Sequence, residues 1–424
     1  MRAPATRNTL AVLLLLLAGT AAALAACSSS SSTSGSAGPD ASEESLVESG
    51  AIEAGDASVD HTSAADGSGD VDAAEAEATD AGLDSGVDSP LGFAEGGGFA
   101  GDCGVGMAGE PTDLRCTGLY SDWDSKTVAA DLTQYDPGLH LWSDGADKLR
   151  WIYLPPGQKI DTSDMDEWTF PVGTKVFKEF SLPLGDASTD TRIETRMIWK
   201  QAPGTWYRTT YLWTSDGVSD ATELTAGELD AGGTGYEVPN QDECNQCHNG
   251  RKDGVLGFEA VALSSANASG LPMSALIAQG LLTAPPDAAI TIPGDPTAAA
   301  ALGYLHMNCG TACHNGGNGQ AHPTGFFMRL GVASLATVQT TDTYTTGWGV
   351  MTQNFYVPDA SVSYRLHACD TGSSCVYYRA SHRAGLDGTS FGVQMPPIDT
   401  HKLDDAGLGA IAAWINEGCD AGGE

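Results

Sequence analysis

The sequence predicts an α+β protein of several domains, in which a disordered tether precedes a β-rich sandwich or barrel-like domain and then an all-α domain. Residues 27–100 are dominated by Ser, Ala, Gly and Asp and contain no Lys or Arg. Between residues 101 and 240, apolar and polar residues alternate in short runs, which is typical of half-buried strands. Within residues 291–424 the apolar residues recur at helical spacing instead.

The chain begins like a secretory signal peptide. Arg2 and Arg7 precede Leu10–Leu17, an apolar run that is too short to span a membrane. The segment ends in Leu24-Ala25-Ala26-Cys27, which resembles a bacterial lipobox. The resemblance implies that residues 1–26 are removed and that the Cys27 thiol and the new amine are lipidated. An ordinary signal peptide that is cut nearby is the alternative.

The predicted tether, residues 27–100, buries too little apolar surface to offset the entropy of ordering it. Its like charges favour an extended chain. A lipid on Cys27 anchors a protein to a membrane without a spanning helix. In well-studied bacterial lipoproteins, an aspartate directly after the lipidated cysteine retains the protein in the inner membrane. This chain has Ser28 at that position. By that resemblance we expect a cell-envelope lipoprotein in the outer membrane, facing the periplasm or the cell surface.

The acidic balance of the chain limits its partners. The formal net charge is −35, with 55 Asp and Glu against 20 Lys and Arg. The chain therefore has no excess of basic residues that could bind nucleic acid. An acidic protein instead favours protein partners that carry a complementary basic patch.

Four runs within residues 101–240 predict an antiparallel β-domain. Two of them are bounded by turn residues, and in the other two large apolar residues alternate with polar ones. The aromatic residues of these runs are more typical of a core than of a cofactor site. A small sandwich or barrel is therefore expected. The runs are Arg150–Leu154, Thr174–Leu182, Thr191–Lys200 and Thr205–Trp213.

Three helices are predicted in the rest of the chain. Apolar residues fall at helical spacing between Met273 and Leu281. Asp295-Pro296 has the residue types of an N-cap followed by the first helical position. A last helix is expected to start near Asp404, to bury a stripe within Leu408–Ile415 and to end at Gly418.

A C-x-x-C-H box, Cys244 to His248, is the attachment signature of c-type haem. Two cysteines at this spacing can form thioethers to one porphyrin, and the adjoining histidine can ligate the iron. A redox dithiol would need only C-x-x-C, and a zinc site would need two further ligands, none of which lies at customary spacing. A plain disulfide is possible in a secreted chain. Haem is the favoured interpretation, with residues 241–290 as the first haem-binding segment.

A second box, Cys309 to His314, has three residues between its cysteines instead of two. Downstream, Met395 lies in the segment Gln394-Met395-Pro396-Pro397. Histidine and methionine are the axial pair that raises the potential of electron-carrying cytochromes c. Two haems c are therefore expected, with His248, His314 and Met395 as iron ligands.

The chain resembles two kinds of cytochrome. Residues 291–424, approximately, resemble a class I cytochrome c domain. The residues that carry this resemblance are Tyr304–Cys309, Cys313-His314, Gln394–Pro397 and Leu408–Ile415 with Trp414. The upstream part resembles a poorly characterised bacterial family that places a β-rich domain before two haem c boxes. The residues that carry this second resemblance are Leu141–Ala146, Phe170–Thr174, Glu194–Arg196 and Pro239–His248.

The sixth ligand of the first iron and the cysteine pairing stay open at this point. Five residues are conceivable sixth ligands, although a structural role is the more common one for a residue of each type. They are Met197, Met273, His306, His367 and His382. Short sequence separations favour the disulfides Cys103–Cys116 and Cys369–Cys375, which leaves Cys419 unpaired. Alternatively only Cys313 is bonded to haem and Cys309 pairs with Cys419. We favour two thioethers, because Gly310 permits the extra residue to bulge.

These observations predict a lipid-anchored dihaem c-type cytochrome that carries out one-electron transfer in the cell envelope. Such a carrier needs no acid, base or nucleophile, and no catalytic residue is predicted. One alternative is a haem peroxidase-like enzyme with an open first iron. Another is a disulfide-stabilised binding module without haem.

Overall fold

The computed structural model describes residues 103–184, 190–352, 361–384 and 393–419. The predicted signal peptide, the lipidation site at Cys27 and the whole of the predicted tether lie outside these residues. The described residues belong to one compact unit, Leu83–Glu424. None of the helices in this part of the chain is long and apolar enough to cross a membrane.

The strands form a six-stranded antiparallel sheet in which sequence neighbours pair in order, together with a two-stranded sheet. This confirms the predicted antiparallel strands, but the sandwich or barrel is corrected to a single open meander, because its first and last strands do not pair. The two-stranded sheet is β1 (Tyr120–Asp122) and β2 (Thr127–Val128). The larger sheet is β3 (Thr133–Gln134), β4 (Asp147–Tyr153), β5 (Lys175–Leu182), β6 (Thr191–Ala202), β7 (Thr205–Trp213) and β8 (Ala221–Glu223).

Both faces of the larger sheet are covered, since side chains on successive strand positions point to opposite faces. Trp151 and Phe177, directly opposite each other in the register, pack with Tyr120 of β1 on one face. Ile152 and Val176 are also opposite each other, and they pack with the helical half of the molecule on the other face. The sheet is therefore a layer between two apolar clusters.

The helices within the described part of the chain surround the second face. Short 3₁₀ turns connect several of them, and a π-helical turn, His306–Gly310, continues α4. The helices are α1 (Gln241–His248), α2 (Ala260–Leu263), α3 (Met273–Ala278), α4 (Pro296–Leu305), α5 (Asp342–Gly347), α6 (Cys375–Ala380) and α7 (Asp405–Glu417).

The predicted helix starts are confirmed. The Asp295 carboxylate accepts a hydrogen bond of 2.9 Å from the Ala298 amide at the start of α4. The Asp404 carboxylate accepts from the Gly407 amide at 2.9 Å at the start of α7. Helices α4 and α7 pack closely at Gly407, where a Cβ atom would lie 2.1 Å from the Tyr304 ring. The absence of a side chain at Gly407 therefore permits the close approach of α4 and α7.

One predicted disulfide is confirmed and the other is wrong. Cys103 pairs with Cys116, but Cys369 pairs with Cys419, and Cys375 is free. The Cys369 amide donates to the Ile415 carbonyl at 2.9 Å, so Cys369 lies beside the end of α7, where Cys419 follows. This pairing also excludes the alternative bond between Cys309 and Cys419.

The main apolar core is continuous through the described residues. It joins Ile152 and Ile198 of the sheet to Val261 of α2, Leu302 of α4 and Ile411 of α7. Residues on both sides of the predicted domain boundaries at 240 and 290 thus contribute to this core. The core holds the sheet face and the segments of both cysteine boxes against each other.

Candidate functional site

The first cysteine box lies on α1, an eight-residue helix with a strong N-cap. The Asn240 side chain accepts from the amides of Asp242 and Glu243, and the Glu243 carboxylate accepts from the Asn240 amide. Cys244 and Cys247 are three residues apart on this helix, so their side chains lie on the same face. Neither thiol forms a disulfide, which leaves both available for covalent attachment.

The His248 ring is fixed with one nitrogen free. Nδ1 lies 2.5 Å from the Gly254 carbonyl oxygen. A carbonyl can only accept, so Nδ1 carries the proton and the Nε2 lone pair is left for a metal. Burial, with Arg208 nearby, lowers the pKa of His248 to about 3, which keeps the imidazole neutral. Gly254 has φ +68°, a left-handed conformation that suits glycine and turns its carbonyl towards the ring.

The second box begins in the π-helical turn at the end of α4. The Thr311 amide donates to the His306 carbonyl and the His314 amide donates to the Cys309 carbonyl, both at 2.8 Å. Each bond spans five residues instead of the four of an α-helix, so the turn takes up one residue more. The extra residue of this box is therefore absorbed in the helical backbone between Cys309 and Cys313. Both of these thiols are also free.

His314 repeats the arrangement of His248. Its Nδ1 lies 3.0 Å from the Phe326 carbonyl oxygen, which again places the proton on Nδ1 and leaves Nε2 unprotonated. Burial lowers the pKa of His314, which favours the neutral form of this ring as well. The Phe326 ring lies edge-on to the imidazole, with 5.7 Å between ring centroids.

The two boxes touch each other. A Cβ atom on Gly250, two residues after the first box, would lie 1.8 Å from the carbonyl oxygen of Ala312, which is inside the second box. The buried Asn315 side chain, next to the second box, donates to the Gly250 carbonyl at 3.2 Å. Burial is the largest cause that raises the pKa of Cys247, and the nearby Cys313 thiol raises it further. The fold thus brings together two boxes that lie about sixty residues apart in the sequence.

A cleft that is open to solvent borders both boxes. Cys247 and His248 line it from the first box, and Cys313 lines it from the second. Val176 and Ile198 of the sheet line another side. Apolar walls with a few polar groups are typical of a site for a large organic cofactor.

The methionine loop borders the same cleft through Pro396 and Pro397. The Gln394 side chain fixes the loop, because it accepts from the Ala384 amide at 2.5 Å and donates to the Thr400 carbonyl at 3.2 Å. The Met395 amide donates to the Arg379 carbonyl at 3.1 Å. The loop is therefore fixed at the edge of the cleft that borders both boxes, and ligation by the Met395 sulfur stays a prediction.

The structure gives other roles to the alternative ligands of the first iron. His306 is fully buried and has both ring nitrogens engaged, Nδ1 with the Leu330 amide at 2.9 Å and Nε2 with Glu259 at 3.2 Å. Met197 packs on the sheet face turned away from the cleft, and Met273 packs in the main core.

The remaining two histidines are held by neighbouring aromatic residues. His367 lies against the Tyr364 ring, and His382 lies against Tyr378, whose carbonyl is 2.5 Å from its Nδ1. Neither of these histidines lines the cleft. The structure therefore supports structural roles for both.

Two cationic residues that line the cleft, Lys178 and Arg196, were not predicted as site residues. The alternation along β6 had placed Arg196 with the polar residues of a half-buried strand. That assumption was wrong, because Glu194 and Lys200 of the same set are fully buried. A cluster of Lys and Arg on neighbouring strands of a strongly acidic chain was the signal available in the sequence.

Comparisons with the known protein families, with curated proteins and with solved structures find no match for this chain.

Proposed function

We propose that this protein is a dihaem c-type cytochrome that transfers single electrons in the cell envelope. The observation that carries the proposal is the shared geometry of His248 and His314. Each follows two unpaired cysteines, and each directs Nδ1 to a backbone carbonyl. A hydrogen bond of this kind, from the ring nitrogen that does not bind the metal, orients histidine ligands of metals.

The donor set fits haem c. Cys244 and Cys247 would form the thioethers of the first haem, with His248 as its iron ligand. Bound haem supplies an iron that alternates between ferric and ferrous states and so carries one electron. The protein keeps its histidines neutral by burial and excludes much of the solvent around them, which favours stable ligation.

For the second haem we propose thioethers to both Cys309 and Cys313, His314 as one axial ligand and Met395 as the other. The π-helical turn supports attachment through both cysteines despite their longer spacing. We further propose that residues 291–424 form a class I cytochrome c domain. The packing of α4 against α7, on either side of the box and the methionine loop, supports this.

The setting of the protein is part of the proposal. A lipid on Cys27 would anchor it to the outer membrane, and the acidic chain between this anchor and residue 100 would act as a spacer. The net charge of −35 favours redox partner proteins with basic surfaces. The absence of a basic excess argues against nucleic acid as a partner.

Haem stoichiometry tests the proposal. Full-length protein matured in a host with cytochrome c assembly should retain about two haems per polypeptide after acid-acetone extraction. The double substitution C244S/C247S should leave one haem, and so should C309S/C313S. Cys375→Ser is the matched control, because Cys375 is free but lies outside both boxes, and it should keep two. A colourless wild-type protein would overturn the proposal.

A further inference from the structure

The sheet presents an apolar row next to a cationic row on the side of the cleft. Val176 of β5 is opposite Ile198 of β6 in the register, and Lys178 is opposite Arg196. All four side chains line the cleft together with His248. Such a wall is chemically complementary to a flat apolar ligand with acidic substituents on one edge.

The cationic row extends to β4, where Arg150 is opposite Lys178. Like charges directly opposite each other on a sheet are unfavourable unless an anion lies between them. In a chain with 55 acidic and 20 basic residues, three cations on adjacent strands also run against the overall composition. The row therefore requires counter-charges.

Two members of the row have a carboxylate within 4.0 Å, whereas the third, Lys178, has no such partner among the described residues. Arg196 binds the Glu194 carboxylate through Nε at 2.8 Å and Nη2 at 2.6 Å. Arg150 lies 3.9 Å from Asp136. Lys178 makes no ion pair with any described residue, and its ammonium lies 5.0 Å from the centroid of the Phe180 ring. The Glu194 carboxylate also acts on Lys178 but is already bound by Arg196, so Lys178 has no carboxylate of its own among the described residues.

We propose that Lys178, with Arg196 beside it, binds the propionate carboxylates of the first haem. The inference rests on the proposed function and adds a role for the sheet, which becomes one wall of the haem site. Haem carries two carboxylates and an apolar ring, which match the cationic and apolar rows. Burial, with Lys148, Arg150 and Arg196 nearby, lowers the pKa of Lys178. A bound carboxylate would counteract this and keep the ammonium charged.

Reduction potentials of the haem-loaded full-length protein test the inference. Lys178→Met leaves a propionate anion without its counter-charge, which favours ferric iron. We expect one of the two potentials to fall, with about a tenfold change in the ferrous-to-ferric ratio, or 59 mV for one electron. That potential should also become pH-dependent near neutral pH, because the unpaired carboxylate takes up a proton more readily on reduction.

Two further variants make the comparison specific. Lys178→Arg keeps the charge and should restore the wild-type potential. Lys175→Met removes a buried lysine from the same strand, but from the opposite face, and should change neither potential. If Lys178→Met matures poorly, Lys178→Gln retains an N–H donor and should give a smaller shift in the same direction.

The other outcomes overturn the inference. If Lys178→Met and Lys178→Arg both convert ferric haem from low to high spin, Lys178 is an iron ligand instead, since arginine does not replace an amine there. If Lys178→Met leaves both potentials unchanged, the propionates bind elsewhere. A wild-type protein without haem refutes the proposed function itself, and the spectrum shows this before any potential is measured.

Discussion

Substitution of Gly250 tests whether the contact between the two boxes is as tight as the structure shows. A Cβ atom at this position would lie 1.8 Å from the Ala312 carbonyl oxygen and 2.8 Å from the carbonyl carbon. Both obstructing atoms belong to the backbone, so no side chain can rotate away. Gly250→Ala therefore forces the first box away from the second.

The cost follows from the contacts that change. Real Cβ atoms stay at least about 3 Å from a carbonyl oxygen, so the backbone must move by more than about 1 Å. Overpacking of this kind costs about 1 to 3 kcal/mol. The same movement lengthens the bond from the Asn315 side chain to the Gly250 carbonyl, now 3.2 Å, which adds about 1 kcal/mol. We expect Gly250→Ala to lower the free energy of unfolding by about 2 to 4 kcal/mol.

Urea denaturation of the haem-loaded protein measures this difference. Gly316→Ala is the matched control, because a Cβ there meets nothing within 4 Å, and it should change the free energy of unfolding by less than about 0.5 kcal/mol. Electron exchange between the two haems should also slow in Gly250→Ala and not in the control. If both glycine variants are equally stable, the boxes do not meet at Gly250, and the reasoning is refuted.

Three further predictions concern the rest of the protein. Met395→His should lower the potential of the second haem, because loss of a thioether ligand destabilises ferrous iron; an unchanged potential and unchanged ferric sulfur-to-iron band would mean another ligand. Cys419→Ser opens the bond to Cys369 and should cost roughly 2 to 5 kcal/mol in thermal unfolding, whereas an unchanged melting temperature would contradict this pairing. Glu259, whose pKa is lowered to about 2 by His306 and Arg251 against the effect of burial, should stabilise the fold above about pH 4.5 and lose this contribution as the pH falls towards 2. In Glu259→Gln, that pH-dependent contribution should be missing from acid-denaturation curves.

The elements that follow from local patterns were predicted well. The four strand runs correspond to β4, β5, β6 and β7, because period-two alternation and turn residues are properties of neighbouring positions. The N-caps Asp295 and Asp404 were found for the same reason. The assignment of the two boxes to haem also depends on fixed short spacing of cysteines and histidine, and it stays a prediction.

Contacts between distant residues were not predictable from these patterns. Lys200 looked like a polar strand residue, but its ammonium is buried 2.7 Å from Asp253. Glu194 is likewise buried, and its carboxylate accepts from the Tyr236 hydroxyl at 2.6 Å. Each partner lies more than forty residues away, so the sequence carries no local sign that the second face of the sheet is covered.

The wrong disulfide has the same origin. Short separation favoured Cys375 as the partner of Cys369, whereas α7 places Cys419 beside Cys369. Each doubling of the loop length adds only about 0.6 kcal/mol to the entropic cost of loop closure, so proximity in the sequence is a weak guide to pairing. The fold decides the pairing through the Ile415 carbonyl that holds the Cys369 amide.

The contact between the boxes gives the proposed electron path a physical basis that neither box has alone. Spacing within a box determines what it can hold, but the distance between two cofactors depends on how closely their backbones approach. Here the approach depends on Gly250, which has no side chain to separate it from Ala312. Cys247 and His248 of the first box and Cys313 of the second line one cleft, so the two proposed haem sites border the same space. In the proposed dihaem protein, an electron accepted at one box would be released at the other.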